Sequence, residues 1–208
     1  MGKPAPERRL SERRLSAAIR LLALGLIITL PPLPAMAEED PIFGFVPAGG
    51  RSLLASLLEA GAPDQDIAAM LQTSRDAAGW LDWLQGSGAA TAGLATLDDW
   101  ELQTLAAYLA NVAPTTAQGL AGDALRTALP RDGRDMIMRH CQSCHIITVT
   151  VTQDRPREAW LGTLRNPSHV EIALSASDHS EIADYLVLNA AIPIDRIPRE
   201  LRAGGASY

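Results

Sequence analysis

The sequence is poor in several residue types at once. Phenylalanine, tryptophan and tyrosine together make up 4% of its 208 residues, so little aromatic bulk is available to fill a core. Lysine occurs once, at Lys3, and every strong cation of residues 38–208 is an arginine. Those residues carry 12 arginines against 22 acids, a net charge of −10. A body this acidic is a poor candidate for binding nucleic acid, because such affinity comes mostly from neutralising phosphates. Two cysteines are too few for a disulfide-rich scaffold. The longest apolar run, Leu21 to Leu30, covers about half of the roughly 20 residues a membrane-spanning helix needs. A phosphate-binding loop, a paired-carboxylate catalytic motif and a Ser-His-Asp set are all missing. What is present is a chain 47% apolar and 20% charged, enough to fold into one or two packed domains.

The amino terminus reads as an address. Five arginines lie within residues 7–20, the apolar run follows, and Pro31, Pro32 and Pro34 break the chain just before Ala35-Met36-Ala37. A charged segment, a short apolar segment and small residues two apart form a secretory signal peptide. Residues 1–37 are therefore expected to be removed after Ala37, leaving an exported, periplasmic chain with no membrane span. Two Arg-Arg pairs match a twin-arginine signal only weakly.

Both cysteines fall in Cys141-Gln142-Ser143-Cys144-His145. This C-x-x-C-H spacing reads as a c-type haem attachment site. Two thiols three residues apart can add to the two vinyl groups of one porphyrin, and the adjacent imidazole then lies beneath the iron as proximal ligand. A thioredoxin-like dithiol would need a strand–helix sandwich around it, whereas Arg131 to His140 reads as a helix leading into the motif. A zinc site would need more thiolates or imidazoles nearby. A disulfide across the motif would not call for the histidine.

The segment Gly133 to Pro193 resembles a class I c-type cytochrome: a helix entering C-x-x-C-H, an extended haem-lining loop over residues 145–151, a middle helix at Arg157 to Arg165, a ligand loop and a last helix crossing the first. That resemblance implies an all-α fold, one covalent haem c and one-electron transfer. The local sequence supports the layout independently. Ser175-Ala176-Ser177-Asp178 is a capping box, Ile182, Tyr185, Leu186 and Asn189 recur on one helical face, and Pro193 is expected to end the helix.

The family's distal methionine is missing, since all five methionines precede Cys144. Counting from the capping serine as the resemblance places that ligand, the position falls on His169, which suggests bis-histidine ligation by His145 and His169. His179 is a rival distal ligand and an open sixth position another. His140 is expected at the surface or facing a propionate, and Met136 and Met138 in packing. Imidazole in place of thioether is expected to lower the haem potential.

The pattern recurs about 80 residues earlier. Arg75 to Leu84 parallels Arg155 to Leu164, with Trp80 on Trp160. Leu97 to Leu109 parallels Leu174 to Leu186, and Pro47 to Arg51 parallels Pro130 to Arg134. Carried through, Cys141, Cys144 and His145 fall on Leu58, Gly61 and Ala62, and His169 on Ala92. The expectation is two cytochrome c-like helical domains in tandem, 38–115 without haem and 123–193 with it, followed by a tail over 194–208. Asn111 to Asp123 reads as the linker, and the aromatic residues of the first domain, Phe43, Phe45, Trp80, Trp83, Trp100 and Tyr108, are expected to fill the space haem fills in the second. Residues 38–122 carry a net charge of −9 and residues 123–208 a net of −1, a contrast that suits docking of a basic partner.

The sequence thus predicts a periplasmic electron carrier or electron-transfer subunit, not itself an enzyme, whose partner is a redox protein such as a periplasmic dehydrogenase or terminal acceptor. A haem sensor or haem enzyme with an open or displaceable distal site is the alternative, and a subunit with a vestigial haem a further one.

Overall fold

Two carboxylate-based capping boxes open the two longest helices. Asp98 accepts from the N–H groups of Trp100 and Glu101, both at 2.8 Å, while the Glu101 carboxylate accepts the Asp98 N–H at 2.9 Å. Ser175 Oγ accepts the Asp178 N–H at 3.1 Å, and Asp178 returns the bond to the Ser175 N–H at 2.7 Å. Each box satisfies backbone donors that a helix start leaves without partners. The computed structural model describes residues 41–117, 119–166, 169 and 172–202. The expected export signal lies outside them, as do Pro167, Ser168 and the end of the tail.

Among the described residues the chain is all-α, with no strand. In chain order the helices are α1 Gly50–Glu59, α2 Asp64–Gln72, α3 Ala77–Gln85, α4 Asp99–Val112, α5 Gly122–Ala128, α6 Gly133–His140, α7 Thr148–Val151, α8 Arg157–Leu164 and α9 Ala176–Asn189. None is long and apolar enough to cross a membrane.

Packing follows the apolar faces. In the first half α4 lies against α1 and α3, and in the second α9 lies against α6 and α8; α4 and α9 then pack on each other. The two halves make corresponding contacts. A Cβ on Gly50 would overlap the Tyr108 side chain, and one on Gly133 would overlap that of Tyr185. The Tyr108 hydroxyl donates to Pro130 O at 2.7 Å, and the Tyr185 hydroxyl donates to Pro47 O, also at 2.7 Å. The Arg75 guanidinium lies 5.3 Å from the Trp80 ring, and that of Arg155 lies 5.3 Å from the Trp160 ring.

Residues 41–202 belong to one compact unit with two apolar clusters, and cluster membership does not follow chain order strictly. Leu125 and Leu129 pack into the first cluster, while Val46 is buried in the second with Phe43 and Phe45 beside it. The sequence reading of the aromatic residues therefore needs correction. Phe43 and Phe45 serve the other half, and Trp100 is 49% exposed, its Nε1 donating to Asn189 Oδ1 at 3.2 Å. Trp80 and Tyr108 are the fully buried aromatics of the first cluster, with Trp83 partly buried against it.

Two other expectations change, and a question the sequence left open, where the tail lies, is answered for its described residues. The stretch read as linker is partly structural: Ala117 is buried in the first cluster, and α5 begins at its end. The last helix stops at Asn189, before Pro193, and Ala191 adopts a left-handed φ of 59°. Residues 194–202 of the tail lie on the molecule's own surface, with Ile197 buried in the second cluster and Leu201 packed against it.

Candidate functional site

Helix α6 delivers the cysteine motif. Asp132 caps its start by accepting the Asp135 N–H at 2.8 Å, and Met136 and Ile137 turn inward to anchor it. Met138 is partly buried, and its sulfur accepts weakly from Gln142 at 3.6 Å, so both methionines pack as expected. The helix tightens at its end into a 3-10 turn over Cys141–Ser143, as helix termini often do. The N–H groups of Cys144 and His145 both reach back to Cys141 O, at 3.4 and 3.3 Å.

Both thiols are free; Cys141 is half-buried and Cys144 exposed. Burial pushes the Cys141 thiol up, partly offset by a hydrogen bond from Thr150. The His145 ring is half-buried, with Nδ1 3.3 Å from Ile146 O. Among the described residues no three His, Cys, Asp or Glu side chains converge as a metal cage. Two thiols and one imidazole spread along a turn do not make a zinc site, which needs its ligands around one point. They match a porphyrin, whose thioether bonds form at its edge while only the imidazole meets the metal.

Residues 145–151 depart from the expected extended loop. The alternation Ile146 to Val151 resembles a strand, but no strand lies beside it among the described residues to pair its backbone. A helical turn, α7, forms instead and buries Thr148, Thr150 and Val151, with Ile147 buried just ahead of it. Backbone bonds fix it from the far end of the chain: Ile192 N–H donates to Val151 O at 2.9 Å and Ala191 N–H to Gln153 O at 3.2 Å. Ile146 and Val149 are left 41% exposed beside the motif. Of the first-half positions the sequence aligns with Cys141, Cys144, His145 and His169, Leu58 and Ala62 are in the core and Ala92 packs against it, while Gly61 is exposed.

His169 is half-buried in a turn, its N–H donating to Asn166 O at 2.8 Å and its carbonyl accepting from Ile172 N–H at 3.0 Å. Its neighbours 167, 168, 170 and 171 lie outside the described residues. His179 sits half-buried in the first turn of α9, its N–H donating to Ser175 O. His140 ends α6, and burial together with Arg139 and Arg131 holds its imidazole below the usual value. Trp160 Nε1 and Thr148 Oγ1 are buried without a hydrogen-bond partner. Trp80 Nε1 shares that property, so this atom type does not set the second half apart.

Sequence reasoning missed two buried carboxylates, Asp132 and Glu181. Glu181 Oε1 accepts the Gly133 N–H at 3.0 Å and Oε2 accepts from Asn111 Nδ2 at 2.9 Å. Its position four residues before Tyr185 was the available signal, since that spacing puts both on one helical face. No protein-family model, curated protein or solved structure matches the chain.

Proposed function

We propose that this chain is an exported monohaem c-type cytochrome that passes single electrons to and from a redox partner protein. The observation that carries the reading is the motif geometry: two free thiols at the ends of one 3-10 turn, followed at once by an imidazole, at the end of an anchored helix. Cys141 and Cys144 would hold the porphyrin edge by adding to its vinyl groups, and His145 would hold the iron from one side. Haem c bound there supplies a one-electron iron couple. The exposed Ile146 and Val149 would give it apolar surroundings, which reduce water access and favour electron transfer over ligand chemistry. His169 is the proposed second imidazole.

The first half is proposed to be a haemless counterpart of the second, in tandem with it. Support comes from the matched Gly50–Tyr108 and Gly133–Tyr185 crossings, the matched Arg–Trp stacks, and the burial of Leu58 and Ala62 at the positions aligned with Cys141 and His145.

Co-expression with a haem-attachment system, followed by haem staining of the denatured protein, tests the reading. Wild type is expected to keep its haem on a denaturing gel, and the Cys141→Ser plus Cys144→Ser variant to lose it; a wild type without covalent haem overturns the proposal. On haem-loaded protein, low-temperature electron paramagnetic resonance is expected to show a low-spin bis-imidazole signal that disappears in His169→Ala and persists in His179→Ala. A high-spin wild type overturns the bis-histidine assignment.

A further inference from the structure

Polar groups on α4 and α9 meet where the two halves touch. Thr104 and Trp100 bond Asn189, and Asn111 Nδ2 reaches both Glu181 at 2.9 Å and Asp184 at 3.1 Å. Two carboxylates lie deepest. Asp132 is 0% exposed, and its carboxylate accepts from the first turns of two helices at once, Asp135 N–H of α6 and Arg51 N–H of α1, the latter at 2.9 Å. Glu181, 5% exposed, holds Gly133 at the start of α6 on one oxygen and Asn111 of the first half on the other. Space for the Asp132 carboxylate exists because residue 49 is glycine; a Cβ there would overlap it.

The charges around this pair are arranged against its ionisation. Every hydrogen bond described to the two carboxylates comes from a neutral donor, a backbone N–H or an amide; these bonds favour the anions, but burial outweighs them. Arg51 pairs with Asp135 at 3.1 Å and Arg157 with Asp184 at 2.6 Å, so these cations are engaged by the outer acids. Arg134 on α6 favours the Asp132 anion, but Asp135 opposes it more strongly. Tyr108 faces both acids as a neutral phenol, burial and the two carboxylates holding its hydroxyl protonated.

We propose that Asp132 and Glu181 form a proton-operated clasp between the two halves, tightest when the pair holds protons and loosened when both carboxylates ionise. Burial is the main cause that raises Glu181 to about 7 and Asp132 to about 6; the charges of Asp132 and Asp184 add to the rise at Glu181, and that of Asp135 adds to the rise at Asp132. Because these values exceed those of the unfolded chain, the stabilisation is full below the ordinary carboxylate range and is lost as pH rises through about 6 to 7. The clasp therefore works across the interval in which a neutral environment turns mildly acidic. Asp132 also caps the helix that ends in the cysteine motif, so the proton state reaches that segment through α6.

The test compares urea unfolding of the purified full chain at about pH 5.5 and about pH 8, with Glu181→Gln and Asp132→Asn alongside. The wild-type folding equilibrium constant is expected to be roughly ten- to a hundredfold larger at the lower pH. Glu181→Gln, an uncharged isostere, is expected to remove most of that dependence and to equal or exceed wild type at the higher pH. An unchanged pH profile in both variants overturns the proposal. For variants that fail to fold, the amide resonances of Arg51 and Gly133 in wild type decide. Shifts that titrate between about pH 5.5 and about pH 8 support the clasp, and shifts complete below the ordinary carboxylate range overturn it.

Discussion

At the level of single residues, two glycines set how closely the helices of each half approach. Gly133 has no room for a side chain: a Cβ would overlap Tyr185 and lie 2.9 Å from Glu181 O, a backbone atom that cannot swing away. Gly133→Ala is therefore expected to destabilise the protein by about 3 kcal/mol through overpacking, measured as a fall in the urea midpoint at unchanged slope. A midpoint equal to wild type would mean that α6 and α9 shift apart freely. Such a requirement is only half legible in a sequence. Tyr185 reads as core from its spacing with Ile182 and Leu186, and it is core. That it meets Gly133 rather than another residue depends on where two helices cross. The same limit explains why Trp100 was misread: its size predicted burial, but it sits in the first turn of α4 with one side open and its indole N–H bonded across to Asn189.

Helices were legible wherever their start signals are local. Ser175, Asp178, Asp98 and Glu101 make bonds within three residues of themselves, and the Ser175–Asp178 box forms as expected, with a second box at Asp98 and Glu101. Asp98→Ala removes the acceptor for two N–H groups of α4 and is expected to cost about 1 kcal/mol. Thermal unfolding followed by far-ultraviolet circular dichroism checks this, a midpoint within error of wild type counting against it. The turn α7 shows the opposite case. Its β-branched run has a strand-like period, and nothing within the segment contradicts that reading. Neighbours decide it, because Ile192 and Ala191 bring hydrogen bonds from beyond α9 that suit a helical turn. The end of α9 was misplaced for a related reason. Pro193 bars continuation, but the chain turns away earlier, at Ala191, to make those same bonds.

For the whole molecule the halves are interlocked rather than merely adjacent. Val46 lies in the second cluster, Leu125 and Leu129 lie in the first, and Tyr108 and Tyr185 each donate to a carbonyl of the opposite half, Pro130 ahead of α6 and Pro47 ahead of α1. Removing either half strips both of buried partners. Urea unfolding is accordingly expected to be one transition, coincident by tryptophan fluorescence and circular dichroism. A fragment of residues 123–208 is expected to lack cooperative unfolding, since it exposes Leu125 and Leu129 and loses Val46. Two separated transitions, or a fragment as stable as the parent, would show that the interlock carries little energy.

By itself the sequence determined the helical class, the capped start of α9, the apolar faces of the helices and the presence of a thiol, thiol and imidazole on one short turn. These rest on periodicity and on bonds between residues close in the chain, which is information a linear pattern contains. Only the tertiary structure decided which half each buried residue serves, that residues 148–151 coil, and that residues 194–202 cover their own molecule. It alone placed Asp132 and Glu181 where water is excluded and the two halves meet. Burial and long-range neighbours set those outcomes, and neither is a property of any segment taken alone.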